Sequence, residues 1–275
     1  MDIFEVLKLL VISIVEGITE WLPISSTGHM ILVDEFLKLN FSADFKNLFL
    51  VVIQLGAILA VVVLYFEKLN PFSKRKTRYQ REKTLDLWKK VIIGCLPAGV
   101  LGFLLDDFIE AKLLNPFVVA TALIIYGILF IVIERYFARH KKQPKIKDFA
   151  DMSYLDAAKI GGFQVLSLVP GTSRSGSTII GGLLSGVSRE IAAEFSFFMG
   201  IPIIFGAGAL KIVKYGFNFS ATELFVLGFS LVATFIVSIF AIKFLIRYLK
   251  NNDFQIFGWY RIIFGILVMI YFIFK

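Results

Sequence analysis

The chain has 275 residues, 57% of them hydrophobic and only 18% charged, with a mean hydropathy of +0.79. A soluble domain is about 45–50% apolar and about 25% charged, so this composition excludes a water-soluble globular fold and predicts an all-α protein that crosses a membrane several times. The net charge of +8 lies mostly in two loops, a distribution that suits the anionic cytoplasmic leaflet and argues against a nucleic-acid partner.

In chain order, the apolar runs predict an interrupted segment over 1–38, then spans at about 48–66, 88–106 and 116–133. A second interrupted segment covers 154–187, followed by spans at 191–210, 222–243 and 255–274. Each span approaches the ~20 apolar residues that a bilayer-crossing helix needs. The expected whole is one integral membrane domain over 1–275. The N-terminus carries Asp2 and Glu5 where a signal peptide would be basic, so no cleavable leader is expected. The single cysteine, Cys95, allows no internal disulfide, and its apolar setting predicts a buried packing role.

Charge orients the spans. The basic loops at 67–90 and 134–147, and the turn with Lys243, Arg247 and Lys250, are expected in the cytoplasm. The link with Asp106, Asp107 and Glu110 is expected outside, as are both termini. The two interrupted segments then enter from opposite faces. Each has an apolar helix, a break at Pro23 or Pro170, a polar stretch and a second helix. Their strings, VEGITEWLPISSTGHMI and FQVLSLVPGTSRSGSTI, align weakly, with Ser26 matched to Ser173 and Gln164 to Glu16. This predicts two re-entrant helix pairs in an inverted repeat, approximately 1–110 and 150–250, meeting near the midplane.

Glu16 and Glu20 are four residues apart and share a helix face. Carboxylates in an apolar segment are costly, so they should face a cavity, either to bind a metal ion or to serve as an acid–base pair. Ser25, Ser26, Thr27 and His29 follow. A serine beside a histidine reads as nucleophile and base, or as a capped helix with a structural histidine. In PGTSRSGST, Gly171 and Gly176, the hydroxyls of Thr172, Ser173, Ser175, Ser177 and Thr178, and Arg174 precede an apolar helix. Amides at a helix N-terminus with a planar guanidinium make a phosphate site. Gln54 and Gln164 read as helix-contact residues, Glu194 as interfacial, Arg261 as an interfacial anchor first and a pocket residue second, and His140 as solvated.

These strings resemble the undecaprenyl pyrophosphate phosphatases, the bacitracin-resistance family of bacteria. Glu16 and Glu20 match its Glu/Gln-x-x-x-Glu motif. Pro170, Gly171, Ser173, Arg174, Ser175 and Thr178 match its Pro-Gly-x-Ser-Arg-Ser-x-x-Thr motif, and Ser25 to His29 match its Ser-Ser-Thr-Gly-His string. The resemblance implies hydrolysis of undecaprenyl pyrophosphate to the monophosphate carrier used in peptidoglycan synthesis. It also implies a site open to the outer face of the cytoplasmic (inner) membrane and a divalent cation.

On this reading Ser25, Thr27, Gly171, Thr172, Ser173, Ser175 and Thr178 bind the lipid pyrophosphate. Glu20, Ser26, His29 and Arg174 carry the chemistry. Glu16 and Glu20 hold Mg²⁺ or Ca²⁺, both of which favour oxygen ligands. The attacking group is left between Ser26, a water molecule and His29, in that order. A transporter or flippase of a polyprenyl phosphate lipid is the alternative function. Besides membrane lipids, a homodimer through the Gly-rich stretch GIPIIFGAGALK is a candidate partner.

Overall fold

The computed structural model describes residues 3–275, without the side chains of Asp106, Asp107 and Glu110. The acidic residues expected in the N-terminus at Asp2 and in the outer link therefore lie outside the described part. Eleven α-helices follow one another among the described residues: α1 (Ile3–Thr19), α2 (Ser26–Leu37), α3 (Ala43–Leu64), α4 (Phe66–Leu69), α5 (Arg78–Phe108), α6 (Pro116–Arg139), α7 (Tyr154–Val165), α8 (Arg174–Leu184), α9 (Arg189–Tyr215), α10 (Ala221–Leu249) and α11 (Gln255–Phe274). Six of them, α3, α5, α6, α9, α10 and α11, are long and apolar enough to cross a bilayer. These are the six expected spans.

Their ends differ from the hydropathy reading. α5 begins at Arg78 and α6 runs on to Arg139, so both helices reach into stretches predicted as basic loops. Lys and Arg are good helix formers, and a helix that has left the apolar layer loses nothing by continuing. Starts are set by local capping. Ser42 accepts from the Phe45 amide, Asn115 from Val118 with Pro116 behind it, and Ser220 forms a capping box with Glu223.

Lipid offers no hydrophobic drive between helices, so close approach depends on small residues. A Cβ on Gly127 of α6 would sit 2.7 Å from the Gly258 carbonyl of α11, and one on Gly258 would sit 2.7 Å from that of Gly127. α1 packs on α10 and α7 on α5. Gly161 of α7 comes so near α5 that a Cβ would lie 2.4 Å from the Gly94 carbonyl.

The basic loops are pinned down. Glu134, fully buried, accepts both Arg189 nitrogens and the Phe254 amide, joining α6, α9 and α11. Lys68 pairs with Glu194, which sequence had placed simply at the interface. Cys95 is buried as expected, its thiol 3.2 Å from the Met199 carbonyl.

Candidate active site

Both interrupted segments break in the same way. Ser25 caps α2 and Ser173 caps α8, and both have φ of +73°, a left-handed value that costs a residue with a side chain about 1–3 kcal/mol. Each hydroxyl accepts from the amide three residues on, Gly28 or Gly176. The equivalent of Ser173 is thus Ser25, in the register that matches Gln164 to Glu16, not Ser26 as counting from the prolines predicts. The second break holds one extra residue between proline and serine, and there Gly171 turns the chain at φ +93°. Only glycine fits, since a Cβ would lie 2.4 Å from the Val119 carbonyl.

A single residue fastens the two breaks together. Arg261 of α11 is fully buried and donates only to main-chain carbonyls: Pro23 at 3.1 Å, Gly171 at 2.9 Å, Thr172 at 2.9 Å and Leu123 at 3.4 Å. The interfacial role expected from its neighbours Trp259 and Tyr260 does not hold. Those two rings are partly exposed, but helical rotation turns Arg261 inward.

With the breaks joined, two helix N-termini reach one cavity of about 250 Å³ lined by Glu20, Ser25, Ser26, Thr27, Gln54, Gln164, Gly171, Ser173 and Arg174. Arg174 donates from Nη2 to Glu20 Oε1 at 3.0 Å and from Nη1 to the Ser196 carbonyl at 2.7 Å, while its Nε has no partner. Its guanidinium lies against α9 where Gly200 leaves room, because a Cβ there would come within 3.0 Å of the group. The other oxygen of Glu20 accepts from Ser26 Oγ at 3.0 Å. One carboxylate thus holds both the cation and a hydroxyl, a nucleophile–base distance within hydrogen-bond reach. Amide-rich helix starts and an arginine fit a phosphate group.

A second cavity of about 280 Å³ adjoins the first and shares Ser26, Thr27 and Gln54 with it. Glu16, Asn47 and Lys211 add polar groups to its wall, which Ile109 and Leu114 also line. Glu16 is 1% exposed and its Oε1 accepts from nothing. A free carboxylate oxygen in one cavity wall with the Gln54 and Asn47 amides and the Ser26 and Thr27 hydroxyls offers oxygen donors of the kind Mg²⁺ or Ca²⁺ takes, with the Lys211 cation in the same wall opposing it. Glu20, whose two oxygens are both engaged, fits a metal less well. Among the described residues no three His, Cys, Asp or Glu side chains gather to hold an ion, so Glu16 needs neutral oxygens to complete a shell.

Several predicted residues stand away from these cavities. Ser175 is buried, with Oγ 3.1 Å from that of Ser173. Thr178 bonds the Arg174 carbonyl at 2.9 Å and Ser196 Oγ at 2.8 Å, packing α8 on α9. The Thr172 side chain faces a separate apolar groove with Tyr126 and Val169. His29 does not meet Ser26. Its Nδ1 lies 2.8 Å from the Ser25 carbonyl and its Nε2 2.6 Å from Tyr260 Oη, and the ring stacks on Phe264 at 4.1 Å. Nδ1 must donate to the carbonyl, so Nε2 accepts from the tyrosine.

Ser196 carries a part of the site that sequence did not mark and Arg261 one that sequence gave only as its second reading, while Gln54 and Gln164, read as helix contacts, turn out to line the cavity. A glutamine or arginine inside an apolar span was the available signal for three of them.

The model of a family described as bacitracin resistance protein BacA matches residues 9–267. The chain is 56% identical over 273 residues to an undecaprenyl-diphosphatase of Desulfitobacterium hafniense (strain DSM 10664 / DCB-2), covering 99% of this chain and 98% of the relative. It is 55% identical over 271 residues to undecaprenyl-diphosphatase 1 of Clostridioides difficile (strain 630), covering 98% and 97%. An undecaprenyl-diphosphatase of Enterococcus faecalis is 55% identical over 273 residues, covering 98% of both.

Proposed function

The chain belongs to the bacitracin resistance protein BacA family, and on that premise we propose that it hydrolyses undecaprenyl diphosphate, with Glu20 and Arg174 as the centre of the reaction. Water and the lipid diphosphate give the lipid monophosphate and inorganic phosphate. That product returns to peptidoglycan synthesis, and the family's description adds bacitracin resistance.

The observation that carries the site assignment is the double engagement of Glu20, by Arg174 on one oxygen and Ser26 on the other. Arg174 and the starts of α2 and α8 take the terminal phosphoryl group, whose charge they stabilise as the bond to the leaving oxygen breaks. Glu20 accepts the Ser26 proton as Oγ bonds to phosphorus and the bridging P–O bond breaks, releasing the lipid monophosphate. Water then attacks the phosphoserine, the Oγ–P bond breaks as the proton held on Glu20 returns to Ser26 Oγ, and the released inorganic phosphate keeps both protons of the water. Water in place of Ser26 is the second route. A phosphohistidine at His29 ranks third, because both ring nitrogens already have partners. A divalent cation held by Glu16 would neutralise phosphoryl oxygens. A lipid carrier needs the arginine and the helix starts but no hydroxyl set on a carboxylate, so the Ser26–Glu20 contact favours the enzyme.

The two breaks support an inverted repeat, since Ser25 and Ser173 share one backbone conformation and α1–α10 packing is matched by α7–α5. With the basic helix ends inside, Ile109 and Leu114, which line the second cavity, lie at the far end of α5, which supports an opening to the outer face. For a homodimer, Gly206 is the glycine of the 200–211 stretch left open; Gly200 and Gly208 are occupied by Arg174 and Leu55. The test is release of inorganic phosphate from undecaprenyl diphosphate by the purified chain in detergent. Release with Glu20→Gln near the unmodified rate would overturn the assignment.

A further inference from the structure

Gln164 is 1% exposed, lines the cavity of Arg174 and Glu20, and neither its Oε1 nor its Nε2 has a nitrogen or oxygen partner. The Cys95 thiol lies beside it, yet that thiol is directed at the Met199 carbonyl and is a weak partner at best. Native structures rarely keep a buried amide unsatisfied unless something else binds it. Arg174 Nε, in the same cavity, is also without a partner. Two residues that line one cavity therefore each keep a buried, unsatisfied donor.

The position has a counterpart. Gln164 precedes the left-handed Ser173 by nine residues, as Glu16 precedes the left-handed Ser25. Both side chains are buried with free oxygens, and each lines one of the two joined cavities. The chemistry differs in one respect: the first cavity receives a neutral amide and the second a carboxylate. A carboxylate beside Glu20 would repel a phosphoryl group, whereas an amide donates to it. The same carboxylate in the second cavity attracts a cation.

We infer that Gln164 is a further substrate-contacting residue, its Nε2 donating to a phosphoryl oxygen of the diphosphate held by Arg174. This rests on the phosphatase reading above. It assigns the anion to the cavity of Gln164 and leaves the cation to that of Glu16.

The test uses the purified full chain in detergent with undecaprenyl diphosphate, and inorganic pyrophosphate as a competing probe. Gln164→Leu should lower kcat/KM about tenfold or more, the effect of losing one hydrogen bond to a charged group, and raise the pyrophosphate inhibition constant similarly. Its unfolding temperature should hold or rise, because an unsatisfied amide has been replaced by an apolar group. Gln164→Glu should lose more activity than Gln164→Leu. Unchanged kcat/KM in folded Gln164→Leu would overturn the inference. So would a lower unfolding temperature with an unchanged pyrophosphate constant, which marks a packing or water-binding residue only. If Gln164→Leu does not fold, Gln164→Met is read by the same two constants. Failure of the phosphatase reading would show separately, as an unmodified chain that releases no phosphate.

Discussion

Arg174 and Glu20 lie 154 residues apart in sequence and 3.0 Å apart in space, Nη2 to Oε1. They come from different broken segments, and their ion pair is nine-tenths buried. The contact sets how the guanidinium is aimed, since Nη1 is held by Ser196 and the flat group rests on Gly200. Arg174→Lys keeps a charge but neither the fork nor the Ser196 contact, and should lower kcat/KM by about 10²–10³. Gly200→Ala should reduce kcat by displacing an unaltered arginine. Steady-state kinetics on both variants checks this, and a Gly200→Ala enzyme with full kcat would show that the aim of Arg174 is unimportant.

The Ser26–Glu20 contact separates two chemistries. Ser26→Ala should abolish turnover, and labelled substrate should leave a phosphoserine on the unmodified chain when quenched with acid. Full turnover by Ser26→Ala would leave water as the attacking group, with Glu20 still its base.

Glu16 should control the response to cations. Glu16→Gln replaces the free carboxylate with an amide, and should raise the half-saturating Mg²⁺ or Ca²⁺ concentration about tenfold or more. A chelator titration followed by metal add-back measures it. An unaltered cation requirement in the variant would place the ion elsewhere.

Arg261 should govern stability and kcat together. Arg261→Met leaves the carbonyls of Pro23, Gly171 and Thr172 without their donor, at a cost of about 3 kcal/mol or more. In the fraction that folds, kcat should fall more than KM rises, because the groups are present but misplaced. Thermal unfolding in detergent paired with kinetics reads both, and an unchanged kcat would limit Arg261 to a packing role.

Glu134 provides a contrast far from the chemistry. Glu134→Gln removes the buried carboxylate from its pair with the part-exposed Arg189 and should destabilise by about 1–3 kcal/mol. Activity per folded molecule should be unaltered, measured after the unfolded fraction is removed by size exclusion.

Hydropathy alone located the six spans, and proline inside a polar string located the two breaks. The ends of α5 and α6 were hidden because basic residues that leave the bilayer remain good helix formers. The register of the breaks was misread because counting from the prolines overlooks the extra residue after Pro170, so Ser26 was matched where Ser25 belongs. His29 stands three residues from Ser26 and invited a pairing, but stacking on Phe264 and the bond to Tyr260 turn its ring toward α11. Arg261 was read from neighbouring aromatics, whereas its partners lie 89 to 238 residues away. Such long-range contacts between one side chain and bare carbonyls leave no local pattern.

The clamp made by Arg261 has a consequence for how the protein is made. α11 is the last of these helices to leave the ribosome, yet its arginine is what fastens Pro23, near the beginning, to Gly171 and Thr172. Every group assigned to chemistry is synthesised well before that fastening exists. During translation the nascent chain therefore holds the reactive residues without the geometry to use them. Insertion of α11 would complete that geometry, and a product that stalls before it should reach the membrane inert.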